Sequence, residues 1–320
     1  MSTGVLSLVR LNPERIAALT AAGYAVCEGA KYFSRLDALR DAGDTVSVVL
    51  TNGRGGISGT EMAMLPKLKL VLTAGAGYES VDLATAQSRG IAVANTPDSN
   101  APAVADAAMM LLLATVRHLR EADRFVRAGG WQDQWRAETP TICGKRLGIF
   151  GLGKIGNRIA RRAAGGFDME IGYHNRAAAT AAPASSYRYF DNLVELAKWA
   201  DFLIAAAPGG AGTRHLINAD VLTALGPKGH LVNVGRGTVL DTAALIDALE
   251  AKRIAGAGLD VIEGEPAIPP QLLLFDNVVI TPHCAGRAPE SHTAATAAIL
   301  ANLNAYFGGK PLLSPVVLNA

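Results

Sequence analysis

Cysteine is scarce in this sequence. Cys27, Cys143 and Cys284 stand far apart in 320 residues. They form no CxxC pair and no His/Cys cluster, so no spacing in the chain reads as a metal site. An odd, sparse set also argues against a disulfide scaffold and suits reduced thiols in the cytoplasm. No run of about 18 apolar residues occurs. The nearest stretch, AVADAAMMLLLATV, is interrupted by Asp106 and reads as a buried helix. The opening MSTGVLSLVRLNPER has no signal-peptide layout, because its short apolar run is broken by Arg10. A cytoplasmic location is therefore expected. A surplus of one charge is missing too: 30 basic against 28 acidic side chains leave a net +2. That balance gives no electrostatic footprint for nucleic acid, while still permitting one basic pocket for a phosphorylated cofactor. No repeat of 20–50 residues is visible, and ATAAPASS (179–186) is at most a mobile loop.

Half of the residues are hydrophobic and 18% are charged, which suits a globular chain. The length exceeds what one core usually fills, so two domains are expected. Short apolar runs alternate with helical patterns. VLSLVRL (5–11), YAVC (24–27), TVSVVLT (45–51), LKLVLTA (68–74) and IAVANT (91–96) read as strands, separated by helices such as 13–23 and 80–90. One long helix is expected from 101 to 128, followed by the loop-like arm GGWQDQW. A second series opens at KRLGIF (145–150). It runs through EIGYHN (170–175), ADFLIAAAP (200–208), HLVNVG (230–235), AGAGLDVI (255–262) and NVVITPH (277–283). A helix over 291–307 and the tail KPLLSPVVLNA close the chain. Apolar strands with helical crossovers predict parallel sheets covered on both faces. The fold class is then α/β: two doubly wound parallel-sheet domains, Rossmann-like and flavodoxin-like, with a cleft between them. Residues 1–98 with 286–320 would form the substrate-binding domain, and 99–285 the dinucleotide-binding domain. Ligands of such sheets bind beyond the carboxyl ends of the strands.

Those ends carry the chemistry. Gly151-Leu152-Gly153-Lys154-Ile155-Gly156 follows the strand RLGIF and opens a helix. Its glycines permit a tight turn, and the helix N-terminus offers free N–H groups to a pyrophosphate. The next strand ends in His174-Asn175-Arg176. An NAD-specific site would place Asp or Glu there for the ribose 2′-OH. Arg176 instead offers a guanidinium for a 2′-phosphate, and Asn175 a further donor. The expected cofactor is thus NADP(H), preferred over NAD(H).

Three more strand ends supply Arg236 in NVGRG, Glu265 in DVIEGEP and His283 in TPH. Singly, each has a plain alternative: a surface ion-pair partner, a loop acid and a core histidine. Together behind a dinucleotide cradle they suit reduction of a 2-ketoacid. Arginine holds the carboxylate bidentately. Histidine protonates the carbonyl oxygen near neutral pH. A carboxylate beside it keeps the ring protonated and oriented. His174 and His215 read as cofactor-rim or structural residues, and His118, His230 and His292 receive no role.

NVGRG, GAGLDVIEGEP and ITPH stand in the order and approximate spacing of the D-2-hydroxyacid dehydrogenases, and the chain resembles that family from LKLVLTAGAGYESVDL (68–83) to GGKPLLSPVV (308–317). YHNR and ALGPKGHLVNVGRG are most similar to its glyoxylate/hydroxypyruvate and hydroxyphenylpyruvate reductases, which typically use NADP(H). The resemblance implies that His283 donates the proton, Glu265 is its partner and Arg236 binds carboxylate and carbonyl oxygen. It implies that Asp260 holds the nicotinamide carboxamide and that the amides of Ala76 and Gly77 grip the carboxylate. Further cofactor contacts are expected from Val104, Ala207, Pro208, Thr213, Val234 and Gly235. The family is usually a homodimer through the cofactor domain, so helix 101–128 and the GGWQDQW arm are the expected interface. Trp135, or less favourably Trp131, would line the partner's pocket. Arg54, in the loop after the third strand, is expected at the far end of the substrate. The sequence departs from the family pattern at Pro208-Gly209-Gly210, at Cys284-Ala285-Gly286-Arg287, at Asp106 and at Glu79. These departures bear on substrate identity more than on reaction class. Two rivals stand beside the reductase: an NAD-linked oxidiser of formate or phosphite, opposed by Glu265 and Arg176, and a cofactor-sensing corepressor on the same fold.

Overall fold

The computed structural model describes residues 3–135, 137–181 and 184–316. Met1, Ser2, Arg136, residues 317–320 of the expected tail, and Ala182 and Pro183 of the 179–186 loop lie outside the described residues. The chain packs into two units. One runs from the N-terminus to Asn100 and resumes at Arg287. The other is Ala101–Gly286.

The first unit alternates β1 (Gly4–Ser7), α1 (Pro13–Ala21), β2 (Ala25–Glu28), α2 (Arg35–Ala42), β3 (Val46–Thr51), α3 (Gly59–Ala63), β4 (Leu70–Thr73), α4 (Leu83–Ser88) and β5 (Ala92–Asn95). The helix starts are written locally. Asn12 accepts from the Arg15 N–H ahead of Pro13, Ser34 accepts from Asp37, and Ser58 with Glu61 closes a capping box. The strands pair in parallel in the order β2-β1-β3-β4-β5, which reverses direction between β1 and β3. Residues of β3 and β4 are buried on both faces, which explains their unbroken apolar runs. The C-terminal helix Pro289–Phe307 seats Ile299 and Leu303 among Val5, Leu19, Val48, Leu70 and Leu72. Pro315 then forms an antiparallel bridge to Ala94.

The second unit holds α5 (Ala101–Val116), α6 (Leu119–Arg127), β6 (Arg146–Phe150), α7 (Lys154–Phe167), β7 (Glu170–His174), β8 (Arg188–Phe190) and α8 (Leu193–Trp199). There follow β9 (Phe202–Ala205), α9 (Ala219–Leu225), β10 (His230–Asn233), α10 (Thr242–Glu250), β11 (Gly256–Leu259), α11 (Pro270–Leu274) and β12 (Val278–Ile280). The remaining helix, Pro289–Phe307, is α12. All seven strands are parallel, ordered β12-β11-β10-β9-β6-β7-β8, with the switch between β9 and β6. Both sheets are doubly wound, as the alternating pattern predicts.

Some boundaries differ from expectation. The helix expected over 101–128 is two helices bent by 63°. His118 adopts left-handed backbone (φ 51°) and breaks the hydrogen-bond ladder. The break falls where the apolar run ends: α5 buries most of its side chains, whereas α6 buries none. β1 stops at Ser7 rather than at residue 11. α12 starts at Pro289, a residue suited to a first helical turn, rather than at 291. β8 was not foreseen, being three residues at the sheet edge with no apolar run. No single helix among the described residues is long and apolar enough to cross a membrane.

Candidate active site

The turn from β6 into α7 is built by close backbone approach. Gly151 has φ 97°, and a Cβ there would lie 2.6 Å from the Ala207 nitrogen. A Cβ on Gly156 would lie 2.2 Å from the Gly151 oxygen. Glycine is therefore required at both places. Beside Gly153, by contrast, the space is open. Leu152 is buried, Ile155 half-buried and Lys154 exposed at the start of α7. Two bonds tie the turn to the end of β7: Gly151 donates to the His174 carbonyl at 3.0 Å, and the Leu152 N–H donates to Asn175 Oδ1 at 2.8 Å. The free helix N-terminus with open space beside Gly153 fits a dinucleotide's phosphates. Asn175 thus spends its oxygen on the turn and keeps its amide as a donor. His174 turns its Nδ1 to the Phe190 carbonyl at 2.8 Å, a bond to β8. Arg176 is exposed, and its guanidinium has no partner among the described residues.

Ala207 is 2% exposed at the sheet's switch point, touched by the Gly151 turn on one side and by Gly235 on the other. The next loop folds on itself, with Thr213 Oγ1 donating to the Pro208 carbonyl at 2.7 Å. Val104 and Val234 are each buried within the apolar core of this unit.

The ends of β10, β11 and β12 carry the three ionisable groups. Asn233 shapes the first turn, accepting from the Gly235 N–H at 3.1 Å and donating to the Arg236 carbonyl at 3.0 Å. Arg236 is half-buried and donates from Nη1 to the Gly235 carbonyl at 2.8 Å. Gly209 packs on its stem, where a Cβ would come within 3.0 Å of Arg236 Cγ. A larger side chain at this position would crowd that arginine.

His283 stands in left-handed backbone (φ 49°), its N–H held by the Asp260 and Thr281 carbonyls at 2.8 and 3.0 Å. Its Nδ1 meets Glu265 Oε1 at 2.5 Å. Glu265 Oε2 accepts from the Ile262 N–H at 3.3 Å, so both carboxylate oxygens are fixed. With Nδ1 engaged, Nε2 is the nitrogen left to exchange a proton. The pair is partly open, at 40% and 26% side-chain exposure, so a small molecule can reach it.

Asp260 is 3% exposed. Its Oδ1 accepts from Thr281 Oγ1, Cys284 N and Ala285 N at 2.6, 2.9 and 3.1 Å, and Oδ2 accepts from Ala285 N at 3.1 Å. Most of this carboxylate therefore shapes the turn that carries His283. Oδ2 retains capacity for another donor, the atom a carboxamide would use. The turn-building by Asp260 was not visible in sequence, because its partners Thr281, Cys284 and Ala285 lie at the end of the neighbouring strand.

In the first unit, Gly75 N–H is bonded to Thr96 Oγ1 at 2.6 Å and Asn95 Nδ2 to the Ala76 carbonyl at 2.8 Å. The amides of Ala76 and Gly77 have no partner among the described residues. Gly53 presses on Gly77, and Asn52 Oδ1 caps the amides of Arg54 and Gly55 at 3.1 and 2.6 Å. The Arg54 side chain is exposed beyond this turn. Trp135 packs against Phe125 of its own chain with ring centres 5.3 Å apart, whereas Trp131 is 69% exposed.

This arrangement can hold a dinucleotide, fix an anion at Arg236 and exchange one proton at His283. Among the described residues no group of side chains could hold a metal ion. Residues 109–285 match the family model described as the NAD-binding domain of D-isomer-specific 2-hydroxyacid dehydrogenases. The hydroxyphenylpyruvate reductase of Plectranthus scutellarioides is 41% identical over 86% of each chain. A 2-hydroxyacid dehydrogenase from Ketogulonicigenium vulgare Y25 superimposes over all of both chains, with TM-score 0.89 and 37% identity. An NADPH-dependent glyoxylate/hydroxypyruvate reductase from Sinorhizobium meliloti, in complex with NADP and malonate, covers 99% of this chain and 97% of its own, with TM-score 0.86 and 38% identity. By family model, by sequence and by fold, the chain belongs to the D-isomer-specific 2-hydroxyacid dehydrogenases and is an oxidoreductase of that family.

Proposed function

We propose that the protein reduces a small 2-ketoacid, such as glyoxylate or hydroxypyruvate, to the D-2-hydroxyacid with NADPH. The observation that carries the reading is the His283–Glu265 pair on a turn fixed by Asp260, one strand-end series away from Arg236 and the Gly151–Gly156 turn. The bound cofactor supplies the hydride. Arg236 pairs with the substrate carboxylate and polarises the carbonyl oxygen. His283 delivers a proton from Nε2 to that oxygen, and Glu265 holds the ring in the tautomer and orientation that allow it. Asp260 would hold the carboxamide of the bound cofactor. On the first unit the amides of Ala76 and Gly77, unbonded among the described residues, are the proposed carboxylate donors, and Arg54 is the proposed cation for a polar far end of the substrate. An Arg54→Ala variant with unchanged KM for every ketoacid tried removes that last assignment.

NADPH rather than NADH is the proposed donor. Among the described residues Arg176 has no partner, and no carboxylate ends β7. The S. meliloti relative with NADP bound supports this choice. We also propose a homodimer through the second unit. Met110, Leu119, Val126 and Trp131 expose apolar surface along α5, α6 and the following arm. Because Trp135 is engaged by Phe125, Trp131 is the better placed of the two to meet a partner. Three free cysteines suit the reducing cytoplasm, where we place the protein.

The test is initial-rate oxidation of NADPH and NADH with glyoxylate, hydroxypyruvate and phenylpyruvate, on the native protein and on His283→Ala. Turnover that prefers NADPH and falls by about 10²–10⁴-fold in the variant supports the reading. NADPH binding without turnover on any ketoacid replaces it with a cofactor-sensing role.

A further inference from the structure

A second His–carboxylate contact stands next to the first. Glu263, two positions before Glu265, receives His215 Nε2 at 2.6 Å and Arg214 Nη2 at 2.7 Å. Both partners come from the far end of the loop that begins at Ala207. Glu263 is 24% exposed, less than either partner, so it is the hub of the cluster. His215 is held in left-handed backbone (φ 52°), and its N–H donates to the Thr238 carbonyl at 2.8 Å. Between the two loops runs the Arg236 turn. At Gly237 a Cβ would meet the Ile262 carbonyl carbon at 2.2 Å and the Glu263 nitrogen at 2.3 Å.

The contacts form one continuous series within the second unit. The Gly151 turn abuts Ala207, and Ala207 leads into Pro208 and Thr213. Arg214 and His215 then close on Glu263. From there the Ile262–Glu265 turn places the carboxylate that meets His283. A loop tip joined to its neighbour by two side-chain contacts on one carboxylate is tied to that turn. Glu263 therefore joins the two loops through both of its carboxylate oxygens.

We propose that Glu263 is a positioning residue that couples occupancy of the cofactor loop to the alignment of Glu265 with His283. The proposal rests on the roles assigned above to Pro208, Thr213, Glu265 and His283. When the loop is drawn onto the cofactor, Arg214 and His215 hold Glu263, and the turn keeps Glu265 on Nδ1. When the cluster is broken, the loop orders at greater cost and Glu265 is held less well.

Two readouts test this on the full-length protein: the NADPH dissociation constant, from cofactor fluorescence, and the pH at which ketoacid reduction falls to half its maximum. Glu263→Ala is expected to weaken NADPH binding by about tenfold and to lower that pH by about half a unit. His215→Phe is expected to move both readouts the same way. His215→Gln, which keeps an N–H donor at similar reach, is expected to restore both. Unchanged binding and pH profile in Glu263→Ala, even with a lowered melting temperature, would reduce the cluster to a surface brace and overturn the proposal. So would movement of only one readout, or equal damage from His215→Gln and His215→Phe. If Glu263→Ala does not fold, the two His215 variants decide. A native protein that turns over no ketoacid brings down the functional reading and this proposal with it, whereas turnover with unmoved variants brings down only the proposal.

Discussion

At the scale of single residues, two side chains make contrasting predictions. Arg176 is exposed and has no partner among the described residues, so removing it should cost the fold little. Arg176→Ala should raise the KM for NADPH by about 10–100-fold, the loss of a charge-assisted bond to phosphate, and leave NADH almost unchanged. Steady-state kinetics with both cofactors checks this. His230 is the opposite case. It is 3% exposed at the start of β10, with Nδ1 unpartnered among the described residues. Burial first, and the nearby charge of His118 second, push it down to about 4. The unfolded chain protonates this residue near 6.5, so between those values the unfolded state binds more protons. The stability due to a neutral His230 is full above pH 6.5, falls through the window and is lost below about 4. The total is about 3 kcal/mol. Urea unfolding of the native protein and of His230→Phe at pH 7 and pH 4.5 should show a smaller acid loss in the variant. Equal losses would mean that other groups govern acid stability.

At the scale of elements, α6 is the exposed one. It buries no side chain and is fastened by guanidinium groups. Arg120 donates to the Phe275 and Val278 carbonyls at 2.8 and 3.2 Å, and Arg124 forms a two-pronged pair with Asp276 at 2.6 and 2.7 Å. Its amides should exchange with solvent faster than those of buried α5 and, if α6 lies in the proposed dimer interface, faster still on dilution. Hydrogen exchange across a dilution series measures this; uniform protection of α5 and α6 at all dilutions would remove α6 from the interface. The elements also show what sequence could reveal. Strands β3 to β7 and β9 to β12 were legible because each is a short apolar run between helical patterns. The Gly151–Gly156 turn was legible because its chemistry is contiguous. His283, Glu265 and Arg236 were legible because each ends a recognisable strand. The break at His118 was hidden, since RHLREADR is an acceptable helical continuation and only backbone torsion separates α6 from α5. The Glu263 cluster was hidden because Arg214 and His215 reach it across a loop of unpredictable course.

At the scale of the whole molecule, connectivity separates the two units. Ala101–Gly286 is one continuous segment, whereas the other unit needs both ends of the chain. Residues 101–286 expressed alone should unfold cooperatively on heating, because both of their apolar clusters lie inside that segment. Residues 1–100 alone should not. They lack α12, whose Ile299 and Leu303 cover Val5, Leu19 and Leu70, and they lack the bonds from Arg15 to Thr296 and His292. Thermal melts followed by near-ultraviolet circular dichroism decide both outcomes, and a cooperative melt of 1–100 would show that α12 is dispensable. The same connectivity sets an order of events during synthesis. The first five strands leave the ribosome before Ala101–Gly286, yet the helix that seals one face of their sheet is made after it. The inserted unit can finish folding while its host still exposes Leu70 and Leu72. Of the two units, the one begun first is therefore the last to become native, and a ribosome that stalls before Phe307 leaves a folded second unit tethered to an open sheet.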